Sequence, residues 1–165
     1  MSNPLRHLSL HELLERDAIT PFDDDDFDHA VFCALLDTIS TPKDAQQLPP
    51  PVGFYFASRM LQADVDNGGF AQAAFNIPEW FELAAEGYRA LGKDKIAEII
   101  SEVRDLLPGN EQAVKELRAD EDKWEEYFSD HMFQIYDRLV FDSDDWEIAS
   151  ERIAYLRANR DSFKI

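Results

Sequence analysis

The stretch Asp64-Val65-Asp66-Asn67-Gly68-Gly69-Phe70-Ala71-Gln72, followed by Phe75-Asn76, decides where this chain of 165 residues turns. Adjacent glycines after a helical segment supply the left-handed residue that ends a helix, and asparagine tolerates that conformation as well. The two phenylalanines then return the chain to the core. A phosphate-binding loop is the alternative, although the stretch contains neither GxxxxGKS/T nor GxGxxG and its acidic neighbours would repel phosphate. We therefore predict a structural helix–helix corner made by Asn67, Gly68, Gly69 and Phe70.

Apolar residues on both sides of this corner recur at the spacing of helices. The stripes are Phe27/Val31/Leu35/Ile39, Trp80/Ala84/Tyr88/Leu91, Ile96/Ile99/Ile100/Val103/Leu107, Trp124/Tyr127/Phe128/Ile135/Leu139 and Ala149/Ile153/Leu156. No segment alternates cleanly between apolar and polar residues, and hairpin signals are rare. The sequence therefore predicts an all-α protein, a single compact domain of about seven helices that spans residues 1–165.

Three segments carry signals for loops or helix ends. Residues 41–51 include Pro42 and a run of three prolines from Pro49, so we expect a loop there. Asp144-Asp145-Trp146-Glu147 fits a capping box, an acidic cap with a glutamate three residues later, and predicts the start of the last helix. Residues 1–20 are expected to form a loosely packed N-terminal segment.

The composition is that of a folded protein. Hydrophobic residues make up 45% and aromatic residues 12% of the 19.0 kDa chain, too many for an acidic disordered tail. Cys33 is the only cysteine, so an internal disulfide is excluded. We see no secretory signal and no apolar stretch that approaches the roughly 20 residues of a membrane span. We expect a cytoplasmic protein without a membrane partner.

The net charge of -18 is concentrated in two segments. Residues 17–82 contain 12 acidic residues against two basic ones, and residues 120–147 contain 11 against two. So many like charges on one small domain oppose folding through self-repulsion. We therefore expect the acidic residues to have a binding role, and a surface that imitates a polyanion is the first candidate.

The acidic residues are spaced for rows on helix surfaces. Asp122, Glu126 and Asp130 fall at i, i+4 and i+8, opposite the apolar stripe that begins at Trp124, so we expect this row to face water. Acidic residues four apart on a helix have Cβ atoms roughly 5–6 Å apart, so their rows can be of comparable density to DNA phosphates, which are about 3.4 Å apart along the axis of each strand. A solvated helix face and helix capping are the plainer interpretations. The acids predicted to bind a partner are Asp23, Asp24, Asp25, Asp26, Asp28, Asp122, Glu125, Glu126, Asp130, Asp137, Asp142, Asp144, Asp145 and Glu147.

Other chemistry has little support in the sequence. Neither aspartate-rich run has the spaced ligands, central glycine and closing glutamate of an EF-hand, which argues against a calcium site. His7 and His11 are four residues apart, but no cysteine or further histidine lies nearby to complete a metal site. Cys33 lies in an apolar setting that is typical of an inert core thiol. We predict neither an enzyme nor a bound metal or cofactor.

The corner resembles the core signature of the DNA-mimic protein family. In that family the acidic end of a helix leads into Asn-Gly-Gly-Phe, a glutamine and an aromatic-asparagine pair. Here the corresponding residues are Asp66-Asn67-Gly68-Gly69-Phe70, Gln72 and Phe75-Asn76. The resemblance covers residues 50–163.

Later segments are similar to the family as well, with some departures. Ala90-Leu91-Gly92 and the tail from Ala154 to Phe163 correspond to family segments. Ala73 and Ala74 stand where bulky aromatic residues are common, and Asn159 stands where a histidine is frequent. These differences indicate repacking around the corner.

The resemblance implies an all-α homodimer whose carboxylates stand in for DNA phosphates. Such a protein occupies the basic DNA-binding surface of a helix-turn-helix transcription factor, blocks its DNA binding, and has no affinity for nucleic acid itself. An immunity or antitoxin-like protein that neutralises a basic toxin or nuclease is the alternative that the charge leaves open.

Overall fold

The computed structural model describes residues 5–128 and 132–165, and within these ranges every regular element is a helix. This confirms the all-α prediction, although ten α-helices are found instead of about seven. No helix in the described ranges has the length and apolar content needed to cross a bilayer. The helices are α1 Leu10–Ile19, α2 Asp24–Leu36, α3 Pro42–Gln47, α4 Pro50–Asn76, α5 Phe81–Ala90, α6 Asp94–Leu106, α7 Glu111–Arg118, α8 Glu121–Phe128, α9 Met132–Phe141 and α10 Ala149–Ala158, with short 3-10 helices at Pro78–Trp80 and Arg160–Phe163.

Most of the proline-rich segment is helical, with a break only at Leu48 and Pro49, so the predicted loop over residues 41–51 is wrong. Thr41 caps α3 by accepting a hydrogen bond from the Asp44 backbone N–H, and the Asp44 carboxylate accepts from the Thr41 N–H in return. The prolines occupy first-turn positions of α3 and α4. Proline is well suited there because its missing N–H would have no partner within the helix.

Helix α4 is the centre of the domain. It packs against α3, α5, α9 and α10, and its buried side chains include Tyr55, Phe56, Leu61 and Phe70. Helices α5 and α6 form an antiparallel pair joined at Gly92, whose φ of 74° is in the left-handed region that favours glycine. The predicted stripes on α2, α5 and α6 face this core.

Residues 5–20 are packed, contrary to the prediction of a loosely packed segment over residues 1–20. Ser9 and Glu12 form a capping box at the start of α1. Leu13 is fully buried beneath it, and the buried Asp17 carboxylate pairs with two arginines from the C-terminal part of the chain. The helix is therefore anchored by apolar burial and by ion pairs.

The last helix begins later than its predicted capping box. Ile148 occupies the N-cap of α10, and the predicted cap Asp144 lies in the preceding turn. Trp146 explains the difference, because it is buried and stacks on Tyr88 with ring centroids 5.7 Å apart. Holding this indole in the core keeps its neighbours in a turn.

The predicted Trp124–Leu139 stripe is not a buried stripe. It is divided between α8 and α9, and residues 129–131 lie outside the described ranges. Tyr127, Ile135 and Leu139 are 45%, 58% and 49% exposed, so this surface is apolar but uncovered.

Candidate functional site

The glycine corner divides α4 into two helical segments, because the backbone of Gly68 and Gly69 is not helical. Gly69 has φ 74° and ψ -177°, a backbone conformation that is nearly restricted to glycine, whereas Gly68 has an extended φ of -164°. The prediction of a left-handed glycine is therefore confirmed at Gly69. The helical turns on either side point in different directions, and Phe70 enters the core directly after the bend.

Asp137, one of the acids predicted to bind a partner, lies at this corner and is partly buried. Its Oδ1 accepts a hydrogen bond of 2.8 Å from the Phe70 N–H, which begins the second half of α4. A Cβ added to Gly69 would lie 2.6 Å from Asp137 Oδ2, so glycine is also needed for the close approach. Burial raises the pKa of the Asp137 carboxyl, and the hydrogen bond from Phe70 only partly offsets this effect.

Four other polar residues of the corner motif form hydrogen bonds, three of them with one another. Asp64 Oδ1 accepts from Asn76 Nδ2 at 3.1 Å and from Gln72 Nε2 at 3.4 Å, which ties the two halves of the helix together. Asp66 Oδ1 accepts from the Trp146 indole at 2.7 Å. These contacts support a structural role for the motif, because its side chains are used to hold the bend.

The aspartates at the start of α2 differ in their roles: some cap the helix or form an ion pair, and others are exposed. Asp23 Oδ1 accepts from the Asp25 and Asp26 backbone N–H groups at 3.1 and 3.3 Å. Asp24 pairs with Arg157 at 2.8 Å. The Asp25 and Asp26 side chains are exposed. Capping therefore accounts for Asp23, while only part of the run is presented to solvent.

Asp28 is buried, so its prediction as a partner-binding residue is wrong. Only 2% of it is exposed, and both carboxylate oxygens bind Arg152, at 2.9 and 3.1 Å. The Tyr55 hydroxyl donates to Asp28 Oδ1, and Arg59 Nε lies 2.9 Å from Oδ2. A buried carboxylate requires such partners, since an unpaired buried charge is strongly unfavourable.

The acidic row on α8 faces solvent as predicted. Asp122, Glu125 and Glu126 are all exposed, and Asp130 lies outside the described residues. Trp124 attaches the helix to the end of α4 through an edge-to-face contact with Phe75, whose ring centroid is 4.9 Å away.

The turn between α9 and α10 is acidic and mostly exposed. Asp142, Asp144 and Glu147 are exposed, whereas Asp145 pairs with Lys93 at 2.8 Å. Hydrogen bonding and charge from Lys93 lower the pKa of the Asp145 carboxyl. Asp145 therefore attaches the turn to the start of α6.

A second acidic row, on α6, is absent from the sequence-based prediction. Asp94, Glu98, Glu102 and Asp105 are all exposed and follow one another at i, i+4, i+8 and i+11. They lie opposite the buried side of the helix, which includes Ile100. The net charge of this part of the sequence gave no sign of the row, because nearby lysines and arginines nearly cancel the acids. The helical spacing of the acids is the signal that could have revealed it.

The two acidic rows belong to helices in contact. The Tyr127 hydroxyl of α8 donates to the Leu106 carbonyl at the end of α6, at 2.5 Å. Asp105, the last acid of the α6 row, immediately precedes Leu106. We use the term α6–α8 acidic surface for Asp94, Glu98, Glu102, Asp105, Asp122, Glu125 and Glu126.

The residues considered as metal ligands or as a nucleophile, His7, His11 and Cys33, belong neither to the glycine corner nor to the acidic rows. No group of three His, Cys, Asp or Glu side chains suited to a metal ion occurs in the described ranges. Cys33 is half-buried instead of lying in the core as predicted, and its Sγ is 3.6 Å from His29 Nε2. The apolar neighbours of Cys33 in the sequence did not reveal this contact.

Comparison with known proteins identifies one relationship. A family model described as DMP19-like protein matches residues 46–159, which include the glycine corner and both acidic rows. No curated protein matches the chain. No solved structure matches it either.

Proposed function

The chain belongs to the DMP19-like protein family, a family of DNA mimics, and from this we propose that it binds the basic DNA-binding surface of a helix-turn-helix transcription factor and blocks its access to DNA. The observation that carries the proposal is the α6–α8 acidic surface. It presents seven carboxylates from two helices in contact. The family match covers residues 46–159 and therefore includes the corner motif.

The spacing of these carboxylates suits binding to a basic protein surface that normally contacts DNA phosphates. Residues four apart on a helix have Cβ atoms roughly 5–6 Å apart, so Asp94, Glu98 and Glu102 form a row of regularly repeated negative charge. Lysine and arginine side chains that bind DNA phosphates would meet carboxylates in similar density. The same charge would repel DNA, so the protein acts on the regulator alone.

The fold holds the α6 part of this surface in place. Helix α6 buries Ile96, Ile100 and Val103 fully or nearly so on the side opposite its acids. Its neighbour α5 packs along it, and Arg89 of α5 donates to Ser101 of α6 at 3.0 Å. Carboxylates held on a packed helix lose little freedom on binding, which favours affinity.

We also propose that two copies associate through α9. This helix exposes Ile135 and Leu139, which are one turn apart on the same side and are 58% and 49% accessible. Its other side packs on α4 and α6. A second copy of the same apolar face would cover these side chains, and a two-fold dimer would match the symmetry of a dimeric DNA reader.

A competition gel shift tests the proposed function. Purified helix-turn-helix regulators from the same host are bound to their operators, and the acidic protein is added in increasing amounts. We expect one regulator to be released from its DNA, and the release to weaken steeply as salt rises because exposed charges are screened within about 8 Å at physiological ionic strength.

The same experiment has an outcome that would contradict the proposed function. If every regulator stays on its operator with the acidic protein in large excess, the DNA-mimic proposal is wrong. Inhibition of a basic host nuclease by the same preparation would then support the antitoxin-like alternative. Direct binding of the acidic protein to the operator DNA would contradict both.

A further inference from the structure

Three polar atoms from different helices lie in the core without a hydrogen-bond partner among the described residues. They are the Tyr88 hydroxyl oxygen on α5, Gln62 Oε1 on α4 and Arg152 Nη1 on α10. The three residues are almost completely buried, with exposed fractions of 0%, 3% and 2%. Native proteins rarely leave a buried polar atom unbonded, because burial takes the atom out of water and nothing replaces the lost contact.

The turn that precedes α10 brings Gln62 and Tyr88 to one place. The Tyr88 ring stacks on the Trp146 indole, with ring centroids 5.7 Å apart and an angle of 8° between the ring planes. Gln62 Nε2 donates to the Trp146 carbonyl at 3.0 Å. Because a carbonyl can only accept, this bond fixes the orientation of the amide, and Oε1 is the atom of Gln62 that still needs a donor.

Arg152 reaches the same part of the core from α10. Its Nε and Nη2 both donate to the Asp28 carboxylate, at 2.9 and 3.1 Å, so Nη1 is the nitrogen on the side away from Asp28. Burial raises the pKa of Tyr88, and the positive charge that opposes this rise most strongly is that of Arg152. The guanidinium therefore lies near the Tyr88 hydroxyl, although no direct hydrogen bond joins the two groups.

We propose that one water molecule binds among these three atoms and bridges α4, α5 and α10. The water accepts from Arg152 Nη1, donates to Gln62 Oε1 and forms its third hydrogen bond with the Tyr88 hydroxyl. The three atoms match the water in type, because a guanidinium only donates, an amide oxygen only accepts and a hydroxyl does either. They match it in number as well, since buried waters typically form about three hydrogen bonds.

The hydrogen-bonding groups favour water over a bound anion. Arg152 and Arg59 both pair with Asp28, so this cluster has one more positive charge than negative charges. The excess charge would attract an anion such as chloride. An anion cannot donate to Gln62 Oε1, however, whereas water can. Water is therefore the ligand that satisfies all three atoms.

Tyr88→Phe tests the proposal through the sign of its effect on stability. If the hydroxyl is unbonded, its removal should raise the melting temperature. If the hydroxyl binds the water, its removal costs a hydrogen bond, and we expect the melting temperature to fall by about 2–4 °C. Tyr55→Phe is the matched control, because the Tyr55 hydroxyl donates to Asp28 and its loss should destabilise the protein in either case. A Tyr88→Phe protein that melts at or above the temperature of the parent would overturn the proposal.

A high-resolution crystal structure of the full chain locates the ligand directly. We expect one peak of electron density within about 3.2 Å of Tyr88 Oη, Gln62 Oε1 and Arg152 Nη1. Crystals grown with bromide in place of chloride identify an anion, because bromide gives an anomalous signal. A bromide peak at this position, or direct hydrogen bonds among the three side chains with no density between them, would contradict the water site. Neither result bears on the acidic surface, so these tests and the regulator competition fail independently.

Discussion

At the scale of single residues, the course of the chain depends on Gly69. Its positive φ bends the central helix, and its missing side chain lets Asp137 reach the Phe70 N–H. The same residue therefore has a conformational and a steric reason to be glycine. Gly92 shares the φ of 74° but has no atom within 4 Å of an added Cβ, so alanine there meets a positive φ without a steric clash.

We expect Gly69→Ala to destabilise the protein more than Gly92→Ala. A residue other than glycine at such a backbone position costs on the order of 1–3 kcal/mol. At Gly69 the added Cβ also displaces the Asp137 carboxylate and its hydrogen bond. Chemical denaturation of both variants is the measurement, and equal losses of unfolding free energy would show that the Asp137 contact contributes nothing.

Asp137 and Asp28 should respond in opposite ways to the loss of charge. Asp137→Asn keeps an oxygen that accepts from Phe70 and removes a desolvated charge, so we expect it to maintain or raise the melting temperature at pH 7. Asp28→Asn leaves Arg152 without its charged partner in the core, and breaking such a buried pair typically costs about 3–5 kcal/mol. Thermal melts of the two variants check this, and destabilisation by Asp137→Asn at pH 7 would contradict it.

The sign of the pH dependence at Asp137 follows from its raised pKa. Between the ordinary value of 3.8 and the raised folded value, the folded chain binds more protons at this group than the unfolded chain does. The contribution of Asp137 to stability therefore falls as pH rises through that window. The advantage of Asp137→Asn over the parent should be smaller at pH 3.5 than at pH 7, and melts at the two pH values measure it.

At the scale of elements, α6 is divided into an apolar side and an acidic side. Ile96, Ile100 and Val103 hold it in the core, while its acids lie opposite them and face solvent. Glu102 accepts a hydrogen bond from Tyr136 of α9, and glutamine at this position keeps an acceptor, so neutralising the acids tests binding with little effect on packing. Helix α8 differs, because none of its residues is fully buried and its position depends on contacts such as that of Trp124 with Phe75.

Neutralising Asp94, Glu98 and Glu102 together to Asn, Gln and Gln should weaken the regulator complex about tenfold or more, because three charge contacts are lost at once. The melting temperature should stay the same or rise, since self-repulsion is relieved. Titration calorimetry with the released regulator measures the affinity.

The control removes the same amount of charge from another part of the surface. Glu15, Asp37 and Asp161 are exposed and belong to α1, the end of α2 and the last 3-10 helix. Their combined neutralisation should have a much smaller effect. Equal weakening by both triple variants would mean that total charge, not the α6 row, determines binding.

At the scale of the whole molecule, the exposed face of α9 predicts a dimer. We expect light scattering at micromolar concentration to give about twice the chain mass of 19.0 kDa. Ile135→Glu with Leu139→Glu should convert the protein to monomers, because two negative charges would enter the apolar contact. Ile19→Glu changes another exposed isoleucine, 84% accessible, and should leave the dimer intact. A monomeric parent protein would refute the dimer.

The sequence by itself determined the helical class, the bend and the inward faces of most helices. These properties follow from spacing along a few turns, where hydrogen bonds and side-chain neighbours are local. Phe27, Val31 and Leu35 are all buried on one side of α2, as their spacing predicted. The glycine at Gly69 is likewise a local requirement, which the corner motif expressed directly.

Only the tertiary structure decided which acids reach solvent. Asp28 stands in the same run as Asp25 and Asp26, yet Arg152, 124 residues away, pairs with it in the core. Asp137 turns to the corner because the Phe70 N–H, 67 residues away, needs an acceptor. Such pairings depend on how helices pack, because the free energy of a charge is set by its neighbours in space and not by those along the chain.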